Sequence, residues 1–190
     1  MTKKHEKNPF FNLYTGPMFS SKTTSMLAAV DRLQRQGYHI LAYKPVIDDR
    51  YSNSDISSHN GVRIPAIVAN SGAEIVAHVV ENAKKNTIVV VDEFFMIPMA
   101  GKALETIFKQ GWSVMCTSLD LSASFIPFED VSHVTPWATH IEKRTAVCES
   151  CGADAPYTFR KKDLPEIAVG GKDLYEPRCF KCHPGMSDRM

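Results

Sequence analysis

Gly16-Pro17-Met18-Phe19-Ser20-Ser21-Lys22-Thr23 joins two segments of different periodicity. Before it, Phe10 to Thr15 is rich in aromatic and β-favouring residues and predicts a short strand. After it, Met26, Leu27, Val30 and Leu33 recur at helical spacing. They predict a helix from about Lys22 to Gln36, with Gly37 at its C-terminal cap. The loop between follows G-x-x-x-x-G-K-[ST] in the strand-to-helix setting that this pattern requires. In such a loop, backbone N–H groups face phosphate oxygens and the helix N-terminus adds favourable partial charge. Lys22 would reach the β- and γ-phosphates, and Thr23 would place its hydroxyl on Mg²⁺. Ser21 stands where the pattern has its second glycine, so the backbone there needs negative φ or tolerated strain. The alternative is an ordinary turn with a surface lysine.

The same alternation continues outward from the loop. His39 to Tyr43 predicts a second strand, ended by Lys44-Pro45. Val46 to Gly61 is rich in Ser, Asn and Asp and reads as a long flexible loop, a length usually tied to function or disorder. Ile64 to Val68 predicts a third strand, and Ser71-Gly72-Ala73-Glu74 has capping-box spacing for a helix through about Ala83. Thr87 to Val91 is a continuous apolar run, as in a strand buried on both faces. A helix near Ala100 to Gln110 and a strand from Trp112 to Thr117 follow. Alternating strands and helices imply a parallel sheet with right-handed crossovers, a P-loop NTPase-like α/β fold. After about Ile141, cysteines, glycines and short β-like runs replace the alternation. The expected organisation is a tail and strand start over 1–12, an α/β domain over 13–140 and a small lobe over 141–190.

Asp92 and Glu93 follow the buried run, at the strand end where open α/β sheets bind ligands. One carboxylate can hold Mg²⁺ and the other can accept a proton from an attacking hydroxyl. Neighbouring side chains on a strand point to opposite faces, so the two are expected to do different jobs. A solvated acidic turn is the alternative.

Cys148 and Cys151 form one C-x-x-C pair, and Cys179 and Cys182 form another. Four thiolates suit tetrahedral Zn²⁺ with no position left for water, so a structural role is expected. Redox-active pairs are the alternative, although neither follows a thioredoxin-like start. His183 is a competing ligand by position, and Cys116 reads as a core residue.

The 190 residues carry a formal charge of +1, which gives no basic field for nucleic acid. No apolar stretch approaches the roughly 20 residues of a membrane span. The polar N-terminus lacks an apolar signal core, so a cytoplasmic location is expected.

Taken together, these motifs resemble type II thymidine kinases from about Leu13 to His183. The phosphate loop, Lys44-Pro45-Val46-Ile47-Asp48-Asp49-Arg50-Tyr51, Ser57-Ser58-His59-Asn60-Gly61, Val91-Asp92-Glu93 and Thr145-Ala146-Val147-Cys148 carry the likeness. So does Val169-Gly170-Gly171-Lys172-Asp173-Leu174-Tyr175, which resembles the family's substrate-covering lasso. The resemblance implies transfer of the γ-phosphoryl group of ATP to the 5′-hydroxyl of thymidine, with Glu93 as general base. Thr23 and Asp92 would serve Mg²⁺, and Asp48, Arg50 and Arg160 would act near the reacting groups. Met18, Leu119 and Phe128 match pocket positions. Ile167, Val169, Gly170 and Gly171 would offer lasso contacts to the pyrimidine, and Tyr175 would pack on its ring. The resemblance further implies a homotetramer and feedback inhibition by dTTP.

The departures lie at the site. Phe95 stands where the family usually has Gln. In Leu119 to Phe128, Leu121 replaces a glycine, Ala123 a phenylalanine, and Phe125-Ile126 an Arg-Lys pair. Phe95, Ala123 and the lost Arg-Lys pair leave open a kinase for a modified or different pyrimidine deoxynucleoside, and Ser21 above all leaves open a nucleotide-binding relative without useful catalysis.

Overall fold

Phe11–Thr15 (β1) leads into the loop, and Lys22–Arg35 (α1) leaves it. The computed structural model describes residues 8–47, 55–58, 61–162 and 170–187. His39–Pro45 (β2) follows α1, whose last turn closes on Gly37 at φ 85°. That left-handed cap suits glycine because no Cβ crowds the preceding carbonyl. Next come Asp55–Ser57 (β3), Arg63–Pro65 (β4), Ile67–Ala69 (β5), Gly72–Asn82 (α2) and Thr87–Val91 (β6). Ala100–Lys109 (α3), Ser113–Ser118 (β7), Glu129–Val134 (α4) and His140–Lys143 (β8) complete the main layer structure.

The central sheet runs β5-β2-β6-β7-β1-β8, and each of its pairings is parallel. All five residues of β6 are buried, as its unbroken apolar run implies. Its side chains alternate between two cores. Val89 and Val91 join Ile75 and Val79 of α2, Leu104 and Ile107 of α3, and Val131 and Val134 of α4. Ile88 and Val90 join Met26, Leu27 and Val30 of α1 on the other face. Helices therefore cover both faces, the α/β arrangement expected from the alternation.

Two expectations need correction. The single strand over Ile64 to Val68 is two strands in different sheets. β4 pairs antiparallel with β3, whereas β5 is the parallel edge of the main sheet. Pro65 ends β4, and having no N–H it cannot extend the ladder as a donor. The segment Val46 to Gly61 also contains β3, whose Ile56 is buried with Ile64 beneath α1. One apolar residue between Asp55 and Ser57 is too short a signal to reveal a strand without its partner.

β8 crosses the 140/141 division, because it pairs with β1 as the far edge of the main sheet. Beyond it, Ala146–Val147 (β9) pairs antiparallel with Asp154–Ala155 (β10), and Tyr157–Arg160 (β11) with Tyr175–Arg178 (β12). The short helix Pro184–Ser187 (α5) follows.

Candidate active site

The phosphate-loop residues lie at the C-terminal end of β1, next to the ends of β7 and β8. Phe19 and Ser21 both have left-handed backbone, at φ 63° and 59°. Alternation of this kind turns successive N–H groups toward one concave side, the geometry of an anion nest. Within the loop, Ser20 Oγ and Lys22 Nζ each donate to the Pro17 carbonyl at 2.8 Å. Ser21 therefore carries the positive φ that its glycine counterpart would take freely, and its side chain is exposed rather than folded into the loop. Gly16 is needed for a separate reason: at φ 133°, a Cβ there would collide with the Arg144 carbonyl.

Met18 to Thr24 line one open cleft together with Lys44, Asp55, Ser57, Ser58, Asp92, Glu93 and Gly171. Asp92 is buried, and its Oδ1 accepts from Thr23 Oγ1 at 3.0 Å and from Thr117 Oγ1 at 2.5 Å. Thr117 Oγ1 in turn accepts from the Glu93 N–H at 2.9 Å. Thr117 lies on β7, the strand between β1 and β6, so it ties the acidic pair to the phosphate-loop side of the sheet. Contrary to strand alternation, Asp92 and Glu93 line the same cleft. β6 ends at Val91, and Glu93 turns left-handed at φ 47°, so alternation no longer governs their directions.

Glu93 Oε2 is buried and has no hydrogen-bond partner among the described residues. A buried carboxylate oxygen left in this state is costly, and such atoms mark places where another group is to be met. Thr23 and Asp92 present hard oxygen donors side by side in the cleft, which fits Mg²⁺.

The other sequence candidates fall in three places. Asp48, Arg50, Ile167 and Val169 lie outside the described residues. Leu119 and Phe128 pack against the core, and Phe128 meets Phe95 with ring centroids 4.6 Å apart. Arg160 stands opposite Tyr175 in the β11–β12 ladder, and Gly170 touches Leu174. Among the described residues, Gly171 is the lasso position that reaches the cleft lining.

Among the residues at the site that were not singled out as site residues from sequence are Lys44, Thr117 and Arg144. Lys44 is buried yet lines the cleft. Thr117 carries the only visible signal, a polar residue ending an apolar strand where such sheets bind ligands. Arg144 holds the loop from behind, with Nε donating to the Ser20 carbonyl at 2.7 Å.

The small lobe meets the loop directly. Thr158 Oγ1 accepts from the Met18 N–H at 3.0 Å, and Phe19 packs against the cluster formed by Ala146, Cys148, Ala155 and Cys179. The ligand atoms of Cys148, Cys151, Cys179 and Cys182 all lie within 4.8 Å of one another. A zinc tetrahedron with bonds of about 2.3 Å has sulfur–sulfur edges of about 3.8 Å, so this donor set fits. Burial opposes ionisation of Cys148, but N–H donors from Cys179, Ser150 and Cys151 outweigh it and bring the thiol to about 6. The sulfurs of Cys151 and Cys179, with burial, push Cys182 up to about 12. A dication relieves that crowding of charge. His183 is not part of the cluster; it is buried among Phe125, Tyr157 and Phe159, and its Nδ1 accepts from the Gly185 N–H at 3.2 Å. Cys116 is fully buried in β7, and burial pushes its thiol up, as befits a core residue.

A family model described as thymidine kinase matches residues 10–183. The chain belongs to the thymidine kinase family. It is thus a nucleoside kinase of the thymidine kinase type, and its four-cysteine cluster is compatible with structural zinc. Among the described residues, no helix is long and apolar enough to cross a membrane.

Proposed function

We propose that this family member transfers the γ-phosphoryl group of ATP to the 5′-hydroxyl of thymidine, giving dTMP and ADP in nucleotide salvage. The observation that carries the reading is Glu93: a buried carboxylate oxygen, without a hydrogen-bond partner among the described residues, in the same cleft as residues 18–24. As the 5′-oxygen bonds to the γ-phosphorus, its proton passes to Glu93, and the bond to the β,γ-bridging oxygen breaks to release ADP. The loop N–H groups and Lys22 hold the phosphates in line. Thr23 Oγ1 and Asp92 would hold Mg²⁺, which would supply neutralisation of the charge that develops on the transferred group. Thr117 keeps Asp92 and the Glu93 backbone in register.

Asp48, Arg50 and Arg160 are assigned to the phosphate and 5′-hydroxyl side. Met18, Leu119, Phe128, Tyr175 and the lasso backbone at Ile167, Val169, Gly170 and Gly171 are assigned to the nucleoside. A cytoplasmic homotetramer inhibited by dTTP is part of the same reading.

A second reading rests on the Phe95–Phe128 contact, which places an aromatic ring where the family usually has an amide. It is a kinase for another pyrimidine deoxynucleoside. Phosphorylation of a deoxynucleoside panel with ATP–Mg²⁺ separates the two. Thymidine is expected to have the highest kcat/KM. Preference for another pyrimidine supports the second reading, and no turnover of any nucleoside overturns both.

A further inference from the structure

Arg144 touches the phosphate loop at both ends without lining the cleft. Its backbone N–H donates to the Thr15 carbonyl at 2.8 Å, and its own carbonyl packs against Gly16. Its side chain reaches the other end, where Nε donates to the Ser20 carbonyl at 2.7 Å. Nη1 is paired at 2.5 Å with Glu142 of β8, two residues back along the chain, which orients the guanidinium. The side chain is half-buried, so its bond to Ser20 is only partly exposed to competing water.

Ser20 is flanked by the two left-handed residues Phe19 and Ser21. A left-handed serine is strained, and the Ser21 side chain makes no cap hydrogen bond to the helix that it starts. The Ser20–Ser21 peptide is planar and trans, so its C=O and N–H point in opposite directions. Holding the Ser20 carbonyl on Arg144 therefore aims the Ser21 N–H away from Arg144, a residue outside the cleft lining.

We propose that Arg144 is a positioning residue. It locks the Ser20–Ser21 peptide so that the Ser21 N–H remains directed at a nucleotide phosphate although position 21 is not glycine. The inference rests on the reading of residues 16–23 as a phosphate cradle.

ADP binding by calorimetry tests it, with Arg144→Met and Arg144→Gln compared with wild type. Met matches the chain length but cannot donate, whereas Gln carries an N–H donor at the position of Nε. Arg144→Met is expected to weaken ADP binding about tenfold or more, the scale of one lost charged hydrogen bond. Arg144→Gln is expected to stay within about threefold of wild type, on the scale of exchanging a charged for a neutral donor. In turnover assays, Arg144→Met should raise KM for ATP while leaving KM for the nucleoside unchanged. Unchanged ADP affinity in Arg144→Met overturns the proposal, even if its Tm falls. Equal losses in both variants overturn it too, since the donor would then not matter. If Arg144→Met does not fold, Arg144→Gln decides: near-wild-type affinity supports the proposal and a tenfold loss overturns it. Wild type that binds no ADP removes instead the underlying reading of the loop.

Discussion

Glu93 joins two features that a solvated acidic turn lacks, a left-handed backbone and a buried oxygen with no partner among the described residues. Both have an energetic cost, and both make sense if the carboxylate is built to meet a hydroxyl. Glu93→Gln is accordingly expected to lower kcat by about 10²- to 10⁴-fold, the range of a lost general base. ADP affinity by calorimetry should stay within a few-fold, because the proposed phosphate contacts are on residues 16–23 rather than on Glu93. Ser21 offers a second prediction. Its left-handed conformation stores about 1–2 kcal/mol, while glycine costs about 0.5–1 kcal/mol in chain entropy. Ser21→Gly should therefore gain about 0.5–1 kcal/mol in urea unfolding. The identity of both residues and their motif positions were readable in the chain. The direction of Glu93 was not, because alternation holds only while β6 lasts.

Among the elements, α2 starts as its capping box suggests, since Ser71 Oγ accepts from the Glu74 N–H. The reciprocal half differs: Glu74 Oε2 accepts from the N–H of Asn70 rather than that of Ser71. Ser71→Ala should cost about 1 kcal/mol in chemical denaturation, the usual value of an N-cap. Between α3 and α4, Glu105 is buried and bonded by Lys109, Lys102 and His133. Hydrogen bonds from Lys109, Lys102 and His133 hold its carboxyl at about 2, below the ordinary 4.5. Because the folded state favours the ionised form, this contribution is fully present above about pH 4.5 and lost as pH falls toward about 2. Glu105→Gln should therefore lower Tm at pH 7, and its gap to wild type should close across that acid window. No such cluster was visible in the sequence, because His133 comes to Glu105 only when α4 packs on α3.

At the scale of the whole molecule, the small lobe acts as a buttress for the phosphate loop. Thr158 bonds the Met18 N–H, and Phe19 rests on the cysteine cluster. Zinc at Cys148, Cys151, Cys179 and Cys182 would thus support the loop as well as its own lobe. Removal of zinc with a strong chelator is expected to lower Tm and to weaken ADP binding together, read by thermal unfolding and calorimetry on the same sample. The aromatic cluster of Phe125, Tyr157, Phe159 and His183 adds a second joint, between the segment after β7 and the lobe.

The parallel α/β plan, the phosphate loop and the two cysteine pairs could be read along the chain. Each rests on short-range patterns: apolar periodicity, a loop between strand and helix, and fixed ligand spacing. Only the tertiary structure divided Ile64 to Val68 between two sheets, because pairing depends on β3 and β2. It alone brought Thr117 to Asp92 across 25 residues and Arg144 to Ser20 across 124. The physical reason is the same in each case. A hydrogen bond depends on where two segments lie in space, and spacing within either segment carries no information about the other.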